Sequence, residues 1–252
     1  MDLDLRDRVH LVTGGARGLG RATAECLVAE GARVVLSGRS RESLDAAVAE
    51  LGAEQAVGVV ADNADPETPA RLIKAAQDTW GRLDGALVSV GGPPAGSALA
   101  TDEEAWSGAF ESVFLGAVRL GRALAEVLPS GGSITYVLSS SVRTPIPGLA
   151  VSNGLRPGLA MYAKTLADEV GPRGLRVNGL LPGRIDTERV RELDASGGDP
   201  EGARAAAIAG IPLGRYGLPS EFGRVAAFVM SPAASFITGT MVPVDGGLLR
   251  AL

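Results

Sequence analysis

Residues 9–20 read Val9-His10-Leu11-Val12-Thr13-Gly14-Gly15-Ala16-Arg17-Gly18-Leu19-Gly20. A short apolar run passes directly into a glycine-rich turn. A helical pattern from Arg21 to Glu30 follows and is closed by Gly31. Glycines let a backbone turn tightly and approach a phosphate, and a helix start adds unpaired N–H groups and partial positive charge. Alone, such a turn is a weak signal, and it also reads as a tight structural turn. Between the first strand and first helix of an alternating chain it is a strong one.

Working outward, the chain does alternate. Apolar runs at Arg33–Ser37, Gln55–Ala61, Leu83–Val90, Ser133–Ser139, Arg176–Leu181 and Thr240–Val244 read as strands. Helical patterns separate them. One begins at an expected Ser40 N-cap, and others span Pro66–Trp80, Thr101–Leu128, Leu149–Val170 with Pro157 as an expected kink, and Pro219–Met230. Near-continuous apolar strands between helices mean a parallel sheet covered on both faces. Right-handed crossovers make it doubly wound, an α/β Rossmann-like fold in three layers. No composition break divides residues 1–252, so a single domain is expected. The polar, Gly- and Ala-rich stretch 184–210 reads as a substrate-covering flap with a flexible tip at Ser196-Gly197-Gly198.

Composition excludes several classes. With 46% hydrophobic and 21% charged residues the chain is globular. It lacks the roughly 20-residue apolar run of a membrane span. Charges throughout the first ten residues leave no secretory signal, so the cytoplasm is the expected location. Cys26 and His10 stand alone, which excludes a disulfide framework and clustered metal ligands and argues against a Ser-His-Asp hydrolase. A net charge of −5 argues against a nucleic-acid partner.

The end of the second strand decides which dinucleotide fits. NAD(H) wants a carboxylate there for the ribose 2′-hydroxyl. This chain has Ser37-Gly38-Arg39-Ser40-Arg41 instead. Arg39 suits a 2′-phosphate, and Arg17 is near enough to join it. The expected cofactor is therefore NADP(H) in preference to NAD(H). The plainer reading makes Arg39 and Arg41 solvated charges in a protein with 24 basic residues, all but Lys74 and Lys164 arginine. Asp62 is placed to accept from the adenine amino group, or else to cap the following turn.

These pieces together resemble the short-chain dehydrogenase/reductase family over nearly the whole chain. The matching segments are TGGARGLG at 13–20, Asp62, the strand end at 87–92, GSI…SS at 132–140, RGLRVN at 173–178, PGRIDT at 182–187 and VDGG at 244–247. The resemblance implies a seven-stranded sheet, a nicotinamide cofactor, a small-molecule substrate, and a homotetramer or homodimer. The apolar helices at 101–128 and 149–170 suit subunit contacts. It also implies that Thr13, Gly14, Gly15, Arg17, Gly18, Leu19, Gly20, Arg39, Asp62, Gly91, Arg156, Pro182, Gly183, Ile185 and Thr187 bind the cofactor, with Ile185 and Thr187 on the carboxamide.

The family uses a tyrosine as proton donor, a lysine four residues later, a serine on the fifth strand, and an asparagine in the long helix. Aligned backward from RGLRVN without a gap, the tyrosine position falls on Ser152 and the lysine position on Arg156. The serine falls on Ser139 and the asparagine on Val113. Ser139, Ser152 and Arg156 are thus the expected catalytic residues. No shift recovers a tyrosine: Tyr162 lies about 15 Å along the helix from Ser152, and Tyr136 faces the other side of the pleat from Ser139.

Three readings follow. The first is an NADP(H)-dependent oxidoreductase with a reassigned site. The second is a non-catalytic NADP(H)-binding sensor or scaffold, and the third a non-redox dehydratase or cyclase. Other residues have plain readings. His10 is expected to be a satisfied core residue, Trp80 and Trp106 to pack on the sheet, and Cys26 to be buried. Tyr216 packs or lines the cleft. Arg184, Arg189 and Arg191 hint at an anionic ligand, and Arg143, after the fifth strand near the cleft mouth, suits a surface ion pair or else an acidic substrate.

Overall fold

The computed structural model describes residues 2–250. Seven parallel strands form one sheet: β1 (Val9–Thr13), β2 (Arg33–Gly38), β3 (Ala56–Val60), β4 (Gly85–Val88), β5 (Ser133–Val137), β6 (Arg176–Pro182) and β7 (Met241–Val244). Their order is β3-β2-β1-β4-β5-β6-β7, so the winding direction reverses between β1 and β4. All five residues of β1 are buried, as a central strand covered on both faces requires.

The helices are α1 (Gly18–Ala29), α2 (Arg41–Leu51), α3 (Thr68–Trp80), α4 (Glu103–Ala109), α5 (Gly116–Val127), α6 (Ala150–Val170), α7 (Glu188–Ala195), α8 (Pro200–Ala209) and α9 (Pro219–Met230). Leu72, Leu120, Leu124 and Leu159 of α3, α5 and α6 pack on one face of the sheet. Leu27, Leu44 and Phe222 of α1, α2 and α9 pack on the other. The Ser40 side chain accepts from the Ser43 amide, so the expected cap is present.

The structure departs from the sequence reading in places. The stretch expected as one helix over 101–128 starts at Glu103, capped by Asp102, and winds as a π-helix over Phe110–Leu115 before α5. β4 stops at Val88 instead of reaching Val90. The helix α6 does span Ala150–Val170 with Pro157 inside it, as the sequence reading has it. The flap is two short helices, with Gly198 at φ +82° between them. None of the α8 residues is fully buried, which explains its weak apolar pattern. Trp80 is partly buried against the α3 side of the core. Trp106 packs on Ala109, Val113, Val151 and Leu155 rather than on the sheet. Cys26 is only half-buried.

His10 corrects a further expectation. It is 1% exposed, yet neither ring nitrogen has a hydrogen-bond partner. Its strand register runs through Gly85 and Ser133 to Arg176. Burial pulls its pKa down to about 4, partly opposed by Asp84 and assisted by Arg8, Arg176 and Arg82. Among the described residues, no helix is long and apolar enough to cross a membrane.

Candidate active site

The glycine-rich turn sits where the sheet reverses, the place where open α/β sheets bind ligands. Thr13 anchors it. Its hydroxyl donates to the Ser89 carbonyl at 2.6 Å and accepts from the Ser89 amide at 2.8 Å. This pair clamps the end of β1 to the chain leaving β4. Thr13 is fully buried, so it positions the turn from beneath. Gly14 and Gly18 have φ of +60° and +56°, a region that L side chains avoid. A Cβ on Gly20 would collide with the Gly14 carbonyl. Gly15 and Gly20 are buried in the turn, and Leu19 packs against the core beneath it. The turn borders an open cleft of about 1120 Å³, whose lining includes Gly14, Arg17, Arg39, Asp62, Gly91 and Val113.

Charges around this cleft sort into free and engaged. Arg39 is exposed at the end of β2 and makes no ion pair or hydrogen bond among the described residues. Arg41 faces Asp45 at 3.6 Å, as its surface reading expects. Arg17 pairs with Glu188 of α7 at 3.0 Å, an exposed contact between the turn and the flap. The Asp62 carboxylate accepts from the Ala64 amide at 2.9 Å, so the turn-capping reading holds, while the residue still lines the cleft.

The flap arginines, read as a hint of an anionic ligand, are each engaged within the protein. Arg184 meets Asp194 at 3.0 Å, Arg191 meets Asp186 at 2.8 Å, and Arg189 lies 3.5 Å from Glu192. Arg189 also reaches across to donate to the Pro93 carbonyl at 2.8 Å. The residues expected around the nicotinamide lie at the end of β6 and the entry to α7, and none of them lines this cleft. Pro182 ends β6, and Gly183 donates to Val244. Ile185 is buried and bridges to Gly217. Thr187 caps α7 and sets its methyl 3.8 Å from where a Cβ of Gly18 would lie.

Ser139, Ser152 and Arg156 come together at the end of β5. Ser139 is partly buried, and its hydroxyl accepts from the Ser141 amide at 3.1 Å. Ser152 is 5% exposed, and its hydroxyl lies 3.2 Å from that of Ser141. Sequence reasoning missed Ser141; its place two residues after Ser139 in a serine run was the available signal. Arg156, one helical turn beyond Ser152, is 4% exposed. One terminal nitrogen donates to the Val137 carbonyl at 2.7 Å, and its Nε has no partner. Burial lowers its pKa to about 10, so it stays charged at neutral pH. Asn153 donates to the Ile146 carbonyl at 2.9 Å and accepts from the Ile146 amide at 3.0 Å, fixing the loop that leads into α6.

The three tyrosines lie elsewhere. Tyr136 is buried with its hydroxyl 3.5 Å from the Ala117 carbonyl, edge-on to Tyr162. Tyr162 donates to the Val118 carbonyl at 3.2 Å. Tyr216 donates to Asp194 at 3.0 Å beneath the Arg204 guanidinium, so it packs. None of them lines the cleft. Val113 falls within the π-helix and packs on Val151 and Leu155. No group of three or more His, Cys, Asp or Glu residues that could hold a metal ion occurs among the described residues.

Comparison with known proteins agrees with this architecture. A family profile described as enoyl-(acyl carrier protein) reductase matches residues 14–249. An uncharacterized oxidoreductase of Mycobacterium tuberculosis is 34% identical, covering 97% of this chain and 93% of its own. The crystal structure of a short-chain dehydrogenase/reductase from Brucella melitensis superposes with a TM-score of 0.93 at 30% identity, over 100% of both chains. That of L-sorbose reductase from Gluconobacter frateurii, complexed with NADPH and L-sorbose, gives 0.91 at 28% identity, again over 100% of both. The chain belongs to the short-chain dehydrogenase/reductase family and is an oxidoreductase of that type.

Proposed function

We propose that this protein is an NADP(H)-dependent oxidoreductase of a small carbonyl or alcohol substrate, working with a site that lacks the family's tyrosine–lysine pair. The observation that carries the cofactor reading is Arg39, an unpaired guanidinium at the end of β2 facing the cleft. NADPH in the L-sorbose reductase structure is in keeping with it.

The residues present fit the cofactor. Gly14, Gly15, Gly18, Leu19 and Gly20 would cradle the pyrophosphate at the start of α1, in a turn so tight that a Cβ on Gly15 or Gly20 would strike the backbone carbonyls of Val12 or Gly14. Arg39 would take the 2′-phosphate, with Arg17 joining if it leaves Glu188. Asp62 would face the adenine, Gly91 would approach the ribose, and Pro182, Gly183, Ile185 and Thr187 would bracket the nicotinamide. When bound, that ring supplies or accepts the hydride. The chain's own part is to hold the carbonyl oxygen on the hydroxyls of Ser139 and Ser152, while Arg156 steadies the charge that develops there. Arg156 would also hydrogen-bond the ribose hydroxyls of a bound cofactor. It keeps its proton, so it does not relay one. A serine hydroxyl is far less acidic than a phenol of pKa about 10. Losing a positioned acid typically lowers rates by roughly 10²–10⁴, or about 3–5 kcal/mol of barrier. The proton therefore comes from water or from the substrate itself.

The flap over 184–210 covers the substrate, held to the cleft wall by the Arg189–Pro93 contact. The exposed Phe110, Val127 and Met161 mark the helix faces on which a homodimer or homotetramer assembles. The cytoplasm is the proposed location. A second reading, NADP(H) binding without turnover, draws on the serine and arginine that stand at the tyrosine and lysine positions, Ser152 and Arg156.

Cofactor fluorescence titrations and turnover assays with small ketones and quinones test these readings. Arg39→Ala is expected to weaken NADPH binding by about 10- to 100-fold and leave NADH unchanged. Equal wild-type affinity for the two would defeat the phosphate assignment. Ser152→Tyr combined with Arg156→Lys is expected to raise turnover. Tight NADPH binding with no turnover on any substrate favours the second reading.

A further inference from the structure

Two arginines are almost wholly buried, and their surroundings differ. Arg176 is 5% exposed and donates to the carbonyls of Val229, Met230, Ser231 and Ile237 at 2.8–3.4 Å, around the end of α9. That terminus carries partial negative charge, so the guanidinium finds its acceptors within the fold. Arg156 is buried as deeply and has one carbonyl, no carboxylate in ion-pair range among the described residues, and an orphaned Nε. A buried cation left this way is costly unless something completes it. Beside it stands the Ser152–Ser141 hydroxyl pair, with its oxygens 3.2 Å apart and both residues about 95% buried.

The cofactor does not supply the missing charge in the reading above. Its phosphates belong at the glycine turn and at Arg39, and its nicotinamide ribose offers only neutral hydroxyls. We infer that Arg156, with the Ser152–Ser141 hydroxyls, forms an anion subsite, and that the physiological substrate is a carbonyl compound carrying a carboxylate or an ionised enol. This rests on the oxidoreductase reading and extends it. There Arg156 meets charge only as it develops, whereas here the substrate arrives already negative and docks on the guanidinium. The hydroxyls give the anion its further donors, as charge-assisted bonds that hydroxyl–hydroxyl contact does not match.

Oxamate and oxamide, nearly the same size but one anionic and one neutral, probe the subsite directly. Calorimetric titration of each is made into the protein alone and into the protein with NADPH. Oxamate is expected to bind at least about tenfold tighter than oxamide to wild type. That preference is expected to vanish in Arg156→Met, to persist in weakened form in Arg156→Lys, and to be unchanged in Arg39→Ala. Equal binding of the two probes by wild type overturns the inference without reference to any variant. So does an oxamate preference that survives in Arg156→Met or is lost in Arg39→Ala. NADPH fluorescence is read in the same samples, so failure of the cofactor reading shows as absent NADPH binding, independently of the oxamate result.

Discussion

Arg156 and Arg176 are an accidental control pair. Both are 4–5% exposed, and burial lowers the pKa of each to about 10. Arg176 is surrounded by carbonyls at the close of a helix, and the fold is complete without any visitor. Arg156 holds the last residue of β5, one helical turn beyond Ser152 and outside the cleft lining, with one of its nitrogens idle. Equal burial therefore says little about role; what differs is whether the protein itself supplies the acceptors. A satisfied buried cation is complete within the scaffold, and an unsatisfied one still lacks an acceptor.

Three measurements press on that contrast. Arg176→Met should be the most damaging, because it strips donors from buried carbonyls at the end of α9. A loss of about 4 kcal/mol in chemical denaturation is expected, and a loss under about 1 kcal/mol would mean that those carbonyls find other donors. His10 comes next. It is a buried base with no hydrogen-bond partner at either nitrogen, and unlike Arg156 it sheds its proton instead of carrying an unbalanced charge. Unfolded, it binds a proton at its ordinary pKa of 6.5, and folded only near 4. The unfolded chain thus holds the extra proton between those values, and stability falls as pH drops from 6.5 toward 4. The full difference is about 3 kcal/mol. His10→Leu should flatten that part of the pH–stability curve, and an unchanged slope would show that the ring is not buried neutral. The smallest effect is at Arg156, where Met of similar volume should raise the stability of the ligand-free protein by about 2 kcal/mol. A destabilised Arg156→Met would show that the guanidinium is balanced at rest after all.

Much of the fold was legible locally. The Val9–Gly20 stretch reads as strand, turn and helix because each needs only near neighbours: apolar continuity, glycines at positive φ, and a helix start. Five of the expected cofactor residues, Gly14, Arg17, Arg39, Asp62 and Gly91, line one cleft for the same reason, since strand ends and their following loops converge at the sheet reversal. Less was legible where packing decides. The π turn at Phe110–Leu115 has no periodicity signal of its own, since a single extra residue per turn hides inside a helical pattern. The flap helices bury too little to show a stripe. His10 looked like a satisfied residue because no sequence feature shows whether a partner is within reach.

From its residues alone, then, this protein was determined to be a doubly wound sheet with a glycine-lined turn and an arginine where a carboxylate would select NAD(H). Those properties depend on backbone sterics and on the order of elements along the chain. The tertiary structure alone decided which arginines have their charge answered. The flap arginines meet nearby carboxylates and Arg176 meets the end of α9, while Arg156 is left with one carbonyl beside two serines. Hydrogen-bond satisfaction is a matter of distances between segments far apart in the chain, and only folding sets those distances.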